Sequence, residues 1–172
     1  SCCPPTPPGA PALDDNSRAL HNPYIGRRVA HARSTYGMEV SPAKGIGTRE
    51  LMRALQKGQP IGLMNDQKFN EGIAVPFFGH DAMTAPGPTR LAMKYKVPIF
   101  LVSTVRTAPA RFRVTYHPPI YPHHTGDLDA DIRATVTDIT NFIEARIREP
   151  PSQWFWQHRR WPKSAWKDAG IT

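Results

Sequence analysis

Two short apolar runs, Ile61 to Met64 and Ile99 to Val105, stand on either side of a segment that Gly87 and Pro88 open and that keeps helical character through about Lys96. A strand, a helix and a strand in that order favour parallel pairing with a right-handed crossover, since parallel strands need a connection long enough to return over the sheet. Arg111 to Tyr116 then alternates strictly, with Phe112, Val114 and Tyr116 on one face and Arg111, Arg113 and Thr115 on the other, which predicts a half-exposed edge strand. From Asp127 or Asp129 a long helix is expected, because Ile132, Val136, Ile139, Ile143 and Ile147 keep a three-and-four spacing until Pro150 and Pro151 stop it. The pattern predicts an α/β domain, a mostly parallel sheet flanked by helices, with no internal repeat.

Ahead of this block, residues 1 to 17 hold five prolines and almost no large apolar side chain, so they are expected to form a disordered tail. At Asn22 the character changes. Asn22 can cap a helix, Pro23 suits its first turn, and Ile25, Val29, Ala32 and Tyr36 recur at helical spacing as far as Gly37. The opposite face carries Arg27, Arg28, His31 and Arg33, a composition usual for a solvated surface. A second helix is predicted from about Thr48 to Lys57, ended by Gly58, and it leads directly into the Ile61 run.

Several function classes fall away on composition. The longest apolar stretch, about Val97 to Val102, is interrupted by Pro98 and is far shorter than the ~20 residues of a spanning helix. The two cysteines, Cys2 and Cys3, are adjacent and unaccompanied, so neither a disulfide framework nor a thiolate zinc site is expected. The opening lacks the basic and apolar regions of a signal peptide. With 22 Lys or Arg against 14 Asp or Glu, the net charge of +8 permits an anionic partner without selecting one.

In an open parallel sheet, ligands collect beyond the carboxyl ends of the strands. Asp66 and Gln67 follow the Ile61 run, and Arg106 follows the Ile99 run, so these three form a candidate anion or hydroxyl site. Phe77 and Phe78, with Gly79, lie in the loop between strand and helix. Such rings either tuck into the core, the commoner fate, or line an apolar groove for a chain-like substrate. At the end of the chain Trp154, Trp156, Trp161 and Trp166 interleave with Arg159, Arg160, Lys163 and Lys167. That mixture suits an anionic membrane surface or single-stranded nucleic acid, although Trp154 and Trp156 can equally close the core. His124 and Asp129 satisfy the bare spacing of a catalytic pair, but the acids Asp127, Asp129 and Asp131 have a simpler task at a helix start. The same acids mimic a calcium loop without its glycine, and His123 and His124 lack a third ligand, so no metal is expected.

The run Gly58-Gln59-Pro60-Ile61-Gly62-Leu63-Met64-Asn65-Asp66-Gln67, with Val75-Pro76-Phe77-Phe78-Gly79 and Thr84-Ala85-Pro86-Gly87-Pro88-Thr89-Arg90-Leu91-Ala92, resembles the central block of the bacterial lipid A biosynthesis acyltransferases. The ending Pro151-Ser152-Gln153-Trp154-Phe155-Trp156-Gln157-His158-Arg159-Arg160-Trp161 is similar to that family's closing motif, and Arg18 to Pro23 resembles its Y-R-P-L-x-N-P segment, with Ser17 in place of Tyr and Ala19 in place of the first Pro. The likeness covers about residues 18 to 163, leaving 164 to 172 as a basic tail.

The resemblance implies an acyltransferase-like α/β domain that works at the cytoplasmic face of the bacterial inner membrane, peripherally as this chain stands. It would move a fatty acyl group from acyl carrier protein, or acyl-coenzyme A in related lysophospholipid enzymes, to a hydroxyl of a lipid A precursor, with no further cofactor. In the family a His, followed after four residues by Glu or Asp, removes the hydroxyl proton. That pair belongs upstream of the segment matching Arg18 to Pro23, where this chain has its Pro-rich stretch and no His, so no residue here is assigned the catalytic role and the chain is expected to be a carboxy-terminal fragment. Arg18 would stabilise charge at the reacting centre, Asp66 and Gln67 would help to form the acceptor site, Phe77, Phe78 and Gly79 would shape the groove, and Arg106 and Arg159 would contact phosphate. The alternative from another class is a basic nucleic-acid-binding module, for which no RRM, KH or zinc-knuckle pattern is present.

Overall fold

The computed structural model describes residues 13–17, 22–35, 38–42 and 46–168, and the chain divides into two compact units, residues 1–64 and 65–172. In the first unit the order is β1 (Leu13–Ser17), α1 (Pro23–Thr35), β2 (Met38–Pro42), α2 (Ile46–Gln56) and β3 (Ile61–Gly62). β1 lies between β2 and β3 and pairs with both in parallel, Leu13 opposite Met38 and Asp14 opposite Ile61. The predicted tail is corrected at its end, because Leu13–Ser17 is the central strand of this sheet; residues 1–12 lie outside the described residues. Asn22 caps α1 as expected, its Oδ1 accepting from the N–H groups of Tyr24 at 3.0 Å and Ile25 at 3.3 Å. Gly58, at φ +72°, ends α2, and the Gln59 N–H reaches back to the Ala54 carbonyl at 2.9 Å.

In the second unit the order is β4 (Ile73–Phe77), β5 (His80–Thr84), α3 (Gly87–Tyr95), β6 (Val102–Ala108), β7 (Arg111–Tyr116), α4 (Leu128–Arg148), a 3₁₀ turn at Pro151–Gln153 and α5 (Lys163–Asp168). All its strand pairing is antiparallel, β4 with β5 and β6 with β7. The mostly parallel sheet read from the sequence is thus corrected. The parallel strands are completed within residues 13–62, and the strand after α3 pairs with the one that follows it. The physical reason lies in the turns. Phe78 at φ +52° and Gly79 at φ +79° make a two-residue connection with both residues left-handed, whose twist matches that of paired antiparallel strands. Ala110 at φ +57° similarly helps to turn β6 back into β7.

α4 supplies the core. Ile132, Val136, Ile139 and Ile147 of the predicted stripe are buried, and Ile143 is half-buried. Val75 of β4 packs with Ile132 and Val136, with Ile73 and Met93 beside them. Phe77 and Ala82 of the hairpin pack with Ile147, surrounded by Phe78, Ile143, Trp154 and Trp161. Each such aliphatic side chain contributes about 1.5–3 kcal/mol by leaving water. Polar ties fix the register: Arg133 Nη1 donates to the Ala74 carbonyl at 2.7 Å, and the Phe78 N–H donates to Glu144 Oε2 at 2.6 Å. Asp127 caps α4, accepting from the N–H groups of Asp129 and Ala130. β7, expected to be half-exposed, is exposed on both faces.

Candidate functional site

The closing motif of the sequence acts as a strap, in which Gln153, His158, Arg160 and Trp161 each hold a different segment of the second unit. Gln153 straddles Arg106 in β6, accepting from its N–H at 2.8 Å and donating to its carbonyl at 3.1 Å. His158 Nε2 accepts from the Lys68 N–H at 2.9 Å, which requires that nitrogen to be unprotonated. Trp161 Nε1 donates to the Phe77 carbonyl at 3.0 Å, and its ring lies 5.5 Å from that of Phe77. Trp154 meets Phe77 edge-on at 5.8 Å and Trp156 at 4.7 Å. So Trp154 and Trp161 serve the core, while Trp156 is 45% exposed and hydrogen-bonds through Nε1 to the Pro151 carbonyl.

Arg160 is the most consequential member of the strap. It is 1% exposed, with Nη1 donating to the Met83 carbonyl at 2.8 Å, Nη2 donating to Thr84 Oγ1 at 2.6 Å, and its guanidinium 5.1 Å from the Phe77 ring centre. Burial pushes its pKa down from the ordinary arginine value, and the negative charge of Asp66 works in the other direction. Among the described residues these two charges form no direct ion pair. Arg160 Nε and Asp66 Oδ1 are each buried without a hydrogen-bond partner, as are both amide atoms of the adjacent Asn65. Buried polar groups are nearly always satisfied, so these unpartnered donors and acceptors of opposite charge set this part of the second unit apart from its apolar core. A hydroxyl fits that chemistry, since it can donate to the carboxylate and accept from the guanidinium N–H.

Arg18 lies outside the described residues. Asp66 is half-buried beside Arg160 and Gln67 is exposed. Arg106 is exposed on β6, its guanidinium 5.2 Å from the Phe112 ring centre, and no hydrogen bond or ion pair among the described residues joins it to Asp66 or Gln67. Of the two fates open to the loop aromatics, Phe77 takes the core at 1% exposure and does not line an open groove, because its ring fills the space between α4 and the two tryptophans. Phe78 is half-buried under the Arg148 guanidinium at 4.8 Å, and Gly79 completes the turn. Arg159 is exposed. Arg160 and Asn65 are the residues that sequence reasoning passed over. Both stand inside the quoted motifs, and adjacency to Asp66 was a usable signal for Asn65.

The remaining candidates have structural tasks. His123 Nε2 pairs with Asp138 Oδ2 at 2.7 Å. Asp131 is buried and accepts from the Thr125 hydroxyl at 2.7 Å and from the Thr125 N–H at 2.9 Å. The Thr125 hydroxyl, then backbone N–H groups and the charge of His124, hold the Asp131 carboxyl below the usual carboxylate value against the opposing effect of desolvation. Among the described residues no group of three or more His, Cys, Asp or Glu is placed to hold a metal ion, and no helix is long and apolar enough to cross a membrane. A depression of about 410 Å³ lined by Ala92, Lys96, Val97, Tyr121, Pro122 and His124 includes none of the residues that the motifs single out for substrate.

No curated protein matches the chain. The family comparison is positive where the motifs predict it and lends nothing to a nucleic-acid module. The match to the family described as bacterial lipid A biosynthesis acyltransferase runs over residues 16–163, most of the chain, and the protein therefore belongs to the bacterial lipid A biosynthesis acyltransferase family.

Proposed function

We propose that the protein takes part in transfer of a fatty acyl group from acyl carrier protein to a hydroxyl of a lipid A precursor or related glycolipid, as a peripheral protein at the cytoplasmic face of the inner membrane. In this reaction the acceptor oxygen bonds to the thioester carbonyl carbon, the carbon–sulfur bond breaks, and the carrier thiol leaves with a proton. One observation supports the reading: Asp66 Oδ1 and Arg160 Nε are buried and unpartnered, Asp66 acts electrostatically on Arg160, and the amide of Asn65, next to Asp66 in sequence, is unpartnered too. An acceptor hydroxyl placed there donates to Asp66 and accepts from Arg160, so its oxygen is oriented while its attacking lone pair stays available. Gln67, next to Asp66 in sequence, and Arg159, next to Arg160, are both exposed, and in this reading they meet the polar and phosphate groups of the acceptor. Arg106, whose backbone N–H and carbonyl are both bonded by Gln153, is given no part in orienting the acceptor hydroxyl. The proton-removing step is assigned to no residue of this chain.

The test is binding and transfer measured together. The chain is titrated with a lipid A precursor in detergent and assayed with radiolabelled acyl–acyl carrier protein, as wild type, Asp66→Asn and Asn65→Ala. The expected result is precursor binding that weakens about tenfold in Asp66→Asn, the scale of one charge-assisted hydrogen bond. Precursor binding identical in all three proteins would remove Asp66 from the acceptor site, and no binding by any of them would refute the reading.

A further inference from the structure

The β6–β7 hairpin exposes an apolar face that the acyl-transfer site does not use. Cross-strand register places Val102 opposite Tyr116, Thr104 opposite Val114 and Arg106 opposite Phe112, so these side chains share one face. Val102, Phe112, Val114 and Tyr116 on that face, and Phe100 just before it, are between 48% and 75% exposed. Contiguous apolar area of this kind marks an interaction surface. The charge of the chain segment that carries it has a single sign. Between Asp81 and Asp127 there is no acidic residue, while Arg90, Lys94, Lys96, Arg106, Arg111 and Arg113 all fall in that interval. Arg111 and Arg113 are exposed on β7, and the Arg106 guanidinium stacks 5.2 Å from the Phe112 ring centre on the apolar face itself.

We infer that this hairpin docks on an anionic lipid surface, with Phe112, Val114 and Val102 entering the headgroup–acyl boundary and Arg106, Arg111 and Arg113 meeting lipid phosphates. The inference rests on the membrane-peripheral part of the proposed function and moves its contact surface away from the carboxy-terminal tryptophans, two of which are occupied in the core. Charge complementarity selects an anionic partner. The aliphatic side chains select lipid over nucleic acid, because valine offers no ring on which a base can stack, whereas an acyl boundary accepts valine and phenylalanine alike. Tyr116, apolar in its ring and polar at its tip, suits the headgroup level.

The whole chain is sedimented with vesicles of phosphatidylcholine containing a quarter phosphatidylglycerol and, separately, with pure phosphatidylcholine vesicles, and is titrated with an oligothymidylate in the same buffer. Wild type is expected to sediment with the anionic vesicles only, less so as salt rises. Arg111→Gln with Arg113→Gln is expected to lower vesicle affinity about 25-fold, about fivefold per cation, and Phe112→Thr about tenfold. Leu128→Thr, which removes an exposed apolar side chain outside the hairpin, is expected to leave affinity unchanged. Anionic-vesicle binding that survives both hairpin variants overturns the hairpin assignment while the membrane reading stands. Absence of vesicle binding by wild type overturns both. Oligothymidylate binding lost in the hairpin variants, without vesicle binding, replaces lipid by nucleic acid.

Discussion

Replacing Arg160 by Met tests whether the buried guanidinium organises the site or merely fills space. The substitution keeps an unbranched side chain of similar length against Phe77 but deletes the donors to the Met83 carbonyl and Thr84 Oγ1. Each hydrogen bond from a charged donor is worth about 1.5–3 kcal/mol, and stacking over the Phe77 ring adds about 1 kcal/mol. Against this stands the desolvation cost of the guanidinium, several kcal/mol, which methionine avoids. Methionine also leaves the Met83 carbonyl unpaired and the half-buried Asp66 carboxylate without its neighbouring cation. Breaking a buried charge from one side costs about 3–5 kcal/mol in general, and here the partner charge is not in direct contact, so the low end applies: about 3 kcal/mol. Arg160→Lys, whose ammonium reaches one acceptor without the planar fork, is expected to lose about 2 kcal/mol. The exposed neighbour offers the internal control, with Arg159→Met expected within about 0.5 kcal/mol of wild type. Urea unfolding followed by tryptophan fluorescence measures all three through midpoint and slope. A loss below about 1 kcal/mol for Arg160→Met, with slope unchanged, would refute the idea that this cation is an organising element.

Stability in acid should depend on Asp131. Its folded pKa lies below the ordinary carboxylate value, so its contribution is complete above about pH 4 and is lost as pH falls through the folded pKa. Thr125→Val removes the leading cause of that shift, so urea midpoints measured from pH 6 to pH 2.5 should fall less steeply in the variant than in wild type; parallel curves would count against the assignment. Gly79, in the turn of the β4–β5 hairpin, and Gly72, just before β4, should differ. A Cβ at Gly79 meets nothing within 4 Å and suffers only from φ +79°, so Gly79→Ala should cost about 1–2 kcal/mol. A Cβ at Gly72 falls 2.7 Å from the Thr84 carbonyl carbon, so Gly72→Ala should cost at least about 2 kcal/mol by thermal melt, and a smaller loss at Gly72 than at Gly79 would contradict the geometry.

Local chemistry determined the helices. Asn22 caps α1, Gly58 ends α2, Asp127 caps α4, and the isoleucine spacing of α4 names the residues that enter the core, because each of these signals acts within a few positions of the residue concerned. Strand pairing was decided by contacts far apart along the chain. Leu13–Ser17 reads as tail and becomes a central strand through partners at Met38 and Ile61, and the run after α3 pairs with β7 because of the intervening turn. The candidate site divides in the same way. Asp66 stands out in the sequence as a polar residue following an apolar run, but Arg159 and Arg160 look alike there. Which of the two turns inward depends on a carbonyl and a hydroxyl at Met83 and Thr84, more than seventy positions away, and only the folded chain brings them together.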